Sequence, residues 1–300
     1  MKQSGLVFLN KPSGITSFQA LHTVKKRLGH GKVGHTGTLD KFAEGLLIAM
    51  AGKNTRLVPY FEGLDKTYIA AIRFGATTET LDTESPEIDV QAAPEVKTIN
   101  TQLAEFIGEQ DQIPPQYSAV HVNGTRAYQR SLKGETVDIP ARRITIYSME
   151  YLEWNEPVLR LRIHCSKGTY IRALARDLGH ACNSAAYLQE LQRTHIGPFD
   201  LSAAVDPQDF DPQEHLISAS PAVQQLPRIK TIPVKPEAVG RILNGNPLQN
   251  GWLKQPPQMD KMDVAAVEGL YALVDADEEL CALVELADEK WKYRYVAERK

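Results

Sequence analysis

Apolar and polar positions change their period several times along the chain, and each change predicts an element. Gly5-Leu6-Val7-Phe8-Leu9 is a short apolar run that predicts a strand, ending in a turn at Asn10-Lys11-Pro12-Ser13-Gly14. Thr16 with Gln19 three residues on has the form of a capping box, and Leu21, Val24 and Leu28 then recur at helical spacing until Gly29. Ala43 to Met50 reads as a short apolar helix, and Asn54 to Leu64 as a second one with Leu57, Val58 and Phe61 inward. Lys66 to Phe74 alternates instead, placing Tyr68, Ala70, Ile72 and Phe74 on one side of a strand. Residues 76–96 are acidic, carry Pro86 and Pro94, and read as an exposed loop before a helix over Thr98 to Ile107. Ile144 to Leu152 and Val158 to Cys165 alternate as two adjacent antiparallel strands; apolar positions 171, 174, 175 and 178 mark a helix. After Pro207, prolines punctuate the chain through Pro236 and suggest a boundary, beyond which 269–275 and 280–286 are strand-like.

With 42% apolar and 24% charged residues among 300, the chain can bury a core, as one large domain or a large and a small one. No apolar run approaches the roughly 18 residues of a membrane span, and Met1 to Asn10 has no leader pattern. Cys165, Cys182 and Cys281 are odd in number and far apart, which suits a reducing cytoplasm and argues against disulfides or a zinc site. The net charge of −3 would discourage a nucleic-acid partner if it were spread evenly. It is not: residues 1–64 carry nine basic and three acidic side chains, whereas residues 79–111 carry one basic and nine acidic. A basic stripe therefore coexists with acidic outer faces, although an ordinary mixed surface would give similar counts.

The basic segment contains the most unusual stretch, Lys32-Val33-Gly34-His35-Thr36-Gly37-Thr38-Leu39-Asp40-Lys41-Phe42-Ala43-Glu44-Gly45-Leu46-Leu47. A polar, glycine-bent loop that delivers one acid beside a packed element is a way to hold a reactive carboxylate rigidly. A plainer reading is a structural turn whose Asp40 caps the next helix. A phosphate-binding loop is a third, but Gly29-x4-Gly34-His35-Thr36 is one residue short and has His35 where that motif needs lysine. His30 and His35 have no further ligand nearby, so no metal is expected.

This stretch resembles motif II of the TruB-type tRNA pseudouridine synthases, G-H-T-G-T-L-D-P-x-A-x-G-L-L, with Asp40 on the catalytic aspartate. Lys41 replaces the usual proline and Glu44 the usual small hydroxyl residue. Leu9 to Ser17 is similar to motif I of the same family, with Lys11 placed to meet RNA or support the site. Lys66-Thr67-Tyr68 resembles its K-x-Y segment, whose tyrosine stacks on the target base. Residues 113–143 resemble an arm that grips the RNA, including Arg126 in Gly124-Thr125-Arg126-Ala127-Tyr128 and the further cations Arg130, Lys133, Arg142 and Arg143, with His121 where lysine is common. Cys165 to Gly179 is similar to motif III, with Tyr170 and Arg172 at site positions, and Leu188 to Thr194 to the following L-x-x-L-x-R-T segment, with Leu191 against the base and Gln192 where arginine is frequent. Arg172 sits in the first turn of a predicted helix, a poor place for a cation, and Asp40 is its expected partner.

The resemblance covers roughly residues 5–200 and implies an α+β fold: a mixed, mostly antiparallel central sheet flanked by helices, over 1–227. Residues 228–300 are similar to a small β-rich PUA-like RNA-binding domain. The implied activity is uridine-to-pseudouridine isomerisation in the tRNA T-loop, at position 55, with Asp40, Arg172 and Tyr68 catalytic and with His35, Tyr170, Leu191, Lys11 and Arg126 meeting the substrate. The reaction is redox-neutral and adds no group, so no cofactor is expected. The implied partner is the T-arm stem-loop, with no membrane, no protein partner and a monomeric, cytoplasmic protein. The competing reading is an RNA-binding or tRNA-folding module with secondary or lost catalysis, favoured by Lys41, Glu44 and the overall acidity.

Overall fold

The computed structural model describes residues 4–29, 31–118, 121–122, 125–126, 137–257 and 268–298, with backbone alone for 121–122 and 125–126. Its centre is a nine-stranded sheet. The strands are β1 (Gly5–Lys11), β2 (Val33–His35), β3 (Glu44–Ala51), β4 (Lys66–Phe74), β5 (Gly108–Gln112), β6 (Arg142–Asn155), β7 (Val158–Cys165), β8 (Ala186–Ile196) and β9 (Phe199–Asp200). They lie in the order β1-β3-β8-β4-β7-β6-β5, with β2 attached to β3 and β9 to β8. Every pairing is antiparallel except β3 with β8, which run parallel where Glu44 meets Gln192 and Gly45 meets Arg193. Helices α1 (Ser17–Leu28), α2 (Val58–Glu62), α3 (Val96–Glu105) and α4 (Ile171–Ala181) flank this mixed, mostly antiparallel sheet.

The capping box of α1 forms as its sequence predicts, with Thr16 and Gln19 exchanging hydrogen bonds and Gly29 closing the helix in the left-handed region at φ 66°. The alternation of β4 also holds: Tyr68, Ala70, Ile72 and Phe74 join Leu159, Leu161, Ile163, Leu174 and Leu178 in one core.

Three expectations fail for physical reasons. Ala43 to Met50 is not a helix; β3 occupies it. Leu46, Ile48 and Met50 pack against Phe61 and Phe199, while Leu47, Ala49 and Ala51 pack against α1 and Phe210. A strand covered on both faces loses its polar alternation, and over eight residues such a run looks like a buried helix. Residues 76–96 are not wholly an exposed loop either, because Ala76, Thr78 and Asp82 are buried. The helix expected over Asn54 to Leu64 is split into a 3-10 turn, Gly52–Leu57, and α2, which has a proline in its first turn.

A second sheet of four strands, β10 (Ile229–Pro233), β11 (Gly269–Val274), β12 (Leu280–Ala287) and β13 (Lys290–Val296), begins at the end of the proline-punctuated stretch and is accompanied by helix α5 (Pro236–Leu243). Leu280, Leu283 and Tyr295 share a core with Leu6, Leu57 and Phe61, so the two sheets are packed through one apolar cluster.

Candidate active site

Asp40 stands on the loop joining β2 to β3, and the turn before α1 holds that loop in place. Ser17 Oγ donates to the Leu39 carbonyl at 3.1 Å and accepts from the Leu39 N–H at 2.9 Å. Ser13 Oγ donates to the Phe42 carbonyl at 2.6 Å, and the Gly14 N–H to the Lys41 carbonyl at 2.8 Å. Leu39 and Ala43, on either side of the acid, are buried in the core. Backbone bonds and apolar anchors together leave Asp40 little freedom to move.

Arg172, at the second position of α4, reaches this acid. Its Nη2 donates to Asp40 Oδ1 at 3.2 Å; its Nε lies 2.9 Å from Oδ2, but that N–H is not aimed at the oxygen and the contact is ionic. Nη1 lies 3.2 Å from Asp82 Oδ2 and donates to the Thr80 carbonyl at 2.8 Å, and Nη2 also donates to the Tyr117 carbonyl at 3.0 Å. Asp82 is 2% exposed and accepts from Thr80 Oγ1 at 2.5 Å and from the Glu84 N–H at 2.9 Å. One buried guanidinium thus bridges two carboxylates. Asp82 faces inward for support, whereas 38% of the Asp40 side chain remains open to the cleft.

A second buried arginine, Arg193 on β8, lines the same cleft. Its Nε donates to the Leu46 carbonyl at 2.8 Å and its Nη2 to the Gly37 carbonyl at 3.1 Å, which ties the acid's loop to β3. The backbones of β3 and β8 meet closely at Gly45, where φ is 107° and an added Cβ would lie 2.4 Å from the Arg193 carbonyl oxygen. Arg193 stands opposite Tyr68 across the β8–β4 ladder. Lys66, at the start of β4, donates to the Glu62 and Leu64 carbonyls at 2.7 and 2.5 Å.

These residues enclose a cavity of about 510 Å³ lined by Asp40, Tyr68, Tyr170, Arg172 and Leu191 among others. That volume suits one nucleotide-sized ligand. Five of the eight residues selected from sequence therefore meet in one cleft. Lys11 does not reach the wall: it is fully buried below it, its Nζ donating to the Pro12 and Ile15 carbonyls at 2.9 and 2.7 Å. His35 pairs with Ala49 across β2 and β3 and is also absent from the wall. Arg126 lies in a two-residue strand, but its side chain falls outside the described residues, as do Arg130 and Lys133. Sequence patterning alone assigns no role to Asp82 or Arg193. Asp82 sits in a segment whose acidity suggested exposure; Arg193 was visible only as the arginine of the L-x-x-L-x-R-T segment.

Charge and burial tune this cleft. Burial pushes the Asp40 carboxyl above its ordinary value of 3.8; Arg172 pulls it back, Asp82 pushes it further up, and Lys11 pulls it down. Burial, with a further contribution from Arg193, brings Lys11 down to about 8 despite Asp40. Lys66 is likewise brought down to about 8, by burial and then by Arg193. The His35 imidazole is held below its usual range by burial and by Arg193, with contact to the Gly37 backbone opposing them. No group of three or more His, Cys, Asp or Glu side chains among the described residues could hold a metal ion. No helix among them is long and apolar enough to cross a membrane.

Two departures from the motif pattern prove to touch. Glu44 and Gln192 lie side by side in the parallel β3–β8 pairing, and Gln192 Nε2 donates to Glu44 Oε1 at 2.8 Å. The acid at 44 thus has a partner supplied by the second departure, outside the cavity that holds Asp40.

The family model "TruB family pseudouridylate synthase (N terminal domain)" matches residues 25–171. The tRNA pseudouridine synthase B of Borreliella burgdorferi is 44% identical over 202 residues, covering 66% of this chain and 72% of that protein. The protein of the same name from Dehalococcoides mccartyi is 36% identical over 280 residues, covering 90% of this chain and 91% of that one. Among solved structures, the archaeal box H/ACA sRNP Nop10–Cbf5 complex contains a chain with a TM-score of 0.70 at 23% identity, covering 98% of this chain and 86% of that one. At that identity the likeness shows the fold alone.

Proposed function

The chain belongs to the TruB family of pseudouridylate synthases, and from that premise we propose that it converts uridine to pseudouridine in the T-loop of tRNA, at position 55, with Asp40 as the catalytic carboxylate. The observation that carries this reading is the hydrogen-bonded ion pair between Arg172 and Asp40 on the wall of a nucleotide-sized cavity. In this reaction the base leaves C1′, turns, and rejoins through carbon. The reaction neither oxidises nor adds a group, so the residues at hand suffice without a cofactor. A fixed, ionised carboxylate serves either as nucleophile or as base toward the sugar, and Arg172 keeps it charged and aimed.

A base handled in this way must first leave its stack, at a cost of a few kcal/mol. Tyr68 offers a face on which the extruded base stacks, worth about 1–3 kcal/mol. Tyr170 and Leu191 complete the walls. His35 and Lys11 do not line the cavity, and in this reading they meet the RNA or support the site from the turn and strand beside it. Residues 1–227 form the catalytic unit in this reading, and residues 228–300 a PUA-like appendage.

The test is single-turnover conversion of an unmodified T-arm hairpin, detected by carbodiimide labelling, with wild type beside Asp40→Asn. We expect conversion by wild type only, with hairpin binding retained in the variant. Turnover by Asp40→Asn removes the acid from the mechanism. Binding without conversion by wild type, even of full-length tRNA, leaves the RNA-binding module instead.

A further inference from the structure

Five cations line the cavity that holds Asp40: Lys41, Lys66, Arg142, Arg172 and Arg193. Three of them spend their N–H groups on the protein, Lys66 and Arg193 on carbonyls and Arg172 on carboxylates and carbonyls. Lys41 is exposed at the rim. Arg142 differs from all four. It is half-buried at the start of β6, its guanidinium 5.2 Å from the centre of the Tyr170 ring and close to Gly168. Among the described residues, no carboxylate lies within ion-pair distance of it and its guanidinium forms no hydrogen bond. Its neighbour Arg143 points to the other side of the strand, as alternation requires, and pairs there with Glu109 at 3.3 Å and Asp111 at 3.6 Å. Of two adjacent arginines, one is neutralised on the outer surface and the other enters the cleft with its donors unused among the described residues.

We propose that Arg142 binds a phosphate flanking the extruded uridine, and so forms a phosphate subsite within the catalytic cleft. This inference rests on the uridine-isomerising reading of that cleft. A nucleotide that turns into the cavity carries its two phosphodiesters to the rim, and a phosphate drawn partly out of water needs a charged donor. Contact with the face of Tyr170 fixes the plane of the guanidinium while leaving its N–H edge free for two parallel bonds to phosphate oxygens. The first turn of α4, which starts beside Tyr170, contains no acidic residue, so nothing there repels the anion. Arg142 thereby sets how deep the nucleotide sits, with Tyr68 on its base and Arg142 on its backbone.

The test is a cycle of protein and RNA changes. T-arm hairpins carry a single uncharged methylphosphonate on the 5′ or the 3′ side of the target uridine, and are assayed with wild type, Arg142→Gln and Arg142→Lys. We expect Arg142→Gln to lower kcat/KM by about tenfold or more, and one of the two methylphosphonates to do the same to wild type. The two changes together should cost no more than either alone, and Arg142→Lys should recover part of the loss. Multiplicative losses at both phosphates, or wild-type efficiency in Arg142→Gln, would overturn the proposal; melting temperatures of the variants separate misfolding from lost contact. The same cycle run as equilibrium binding in an Asp40→Asn background decides Arg142 even where no conversion is seen, which keeps its failure distinct from that of the catalytic reading.

Discussion

Arg172 and Arg193 are the same residue type, 5% and 1% exposed, on the wall of the same cavity, and they are used in opposite ways. Arg172 lies between two carboxylates, so its charge is matched locally and its geometry is passed on to Asp40. Arg193 donates to the Leu46 and Gly37 carbonyls, and among the described residues no carboxylate forms an ion pair with it. Its positive charge is therefore felt by its neighbours: Lys11, His35 and Lys66 are all held below their ordinary values partly because of it. A buried arginine with carboxylates tunes one acid. A buried arginine with carbonyls joins strands and sets the field for a whole site.

Breaking the first arrangement should have the largest effect. Arg172→Lys keeps the charge but loses the planar fork, and we expect single-turnover conversion to fall on the order of 10²-fold with hairpin affinity nearly unchanged. Near-normal conversion would take Arg172 out of the chemistry. Arg193→Gln should act on folding instead: leaving the Leu46 and Gly37 carbonyls without donors costs about 1–3 kcal/mol, read as a lower midpoint in urea. If its stability equals wild type, Arg193 does not tie β3 and the Asp40 loop together.

Asp82→Asn sharpens the contrast through pH. The Asp40 carboxyl titrates above its ordinary value, so the acid-side loss of conversion in wild type should lie above pH 3.8. Removing the Asp82 charge removes one cause of that rise and frees Arg172 for Asp40, both of which move the limb to lower pH. An upward shift would contradict the assignment of Asp82 as a neighbouring anion. The smallest effect should come from Glu44→Ala, which removes an exposed hydrogen bond to Gln192 and should change stability by no more than about 1 kcal/mol while leaving conversion intact. A large loss of conversion would mean that the departure at 44 reaches the cleft.

Much of the cleft was legible because its residues are held by local rules. The capping box before α1, the alternation of β4 and the helical spacing of α4 are patterns of neighbours, and each formed as its sequence implies. What escaped were features set by the third dimension. The strand at Glu44–Ala51 lost its alternation because both its faces are covered, and Asp82 looked exposed because a buried acid differs from a solvated one only by its partner, 90 residues away in sequence. Lys11 and His35 have the residue types of a wall, yet neither lines the cavity.

The bonds that hold Asp40 also fix when the site can come into being. Ser17 and Leu39 are 22 positions apart and Ser13 and Phe42 are 29, whereas Arg172 and Asp40 are separated by 132. During synthesis, which adds about 5–20 residues per second, the acid's cradle can close while most of the chain is still unmade. Its counter-ion arrives many seconds later. The counter-ion, the Arg193 tie to Gly37 and most of the core around Leu39 and Ala43 all come from later in the chain, so chemical competence is a late event in synthesis even though the first bonds of the acid's cradle are local.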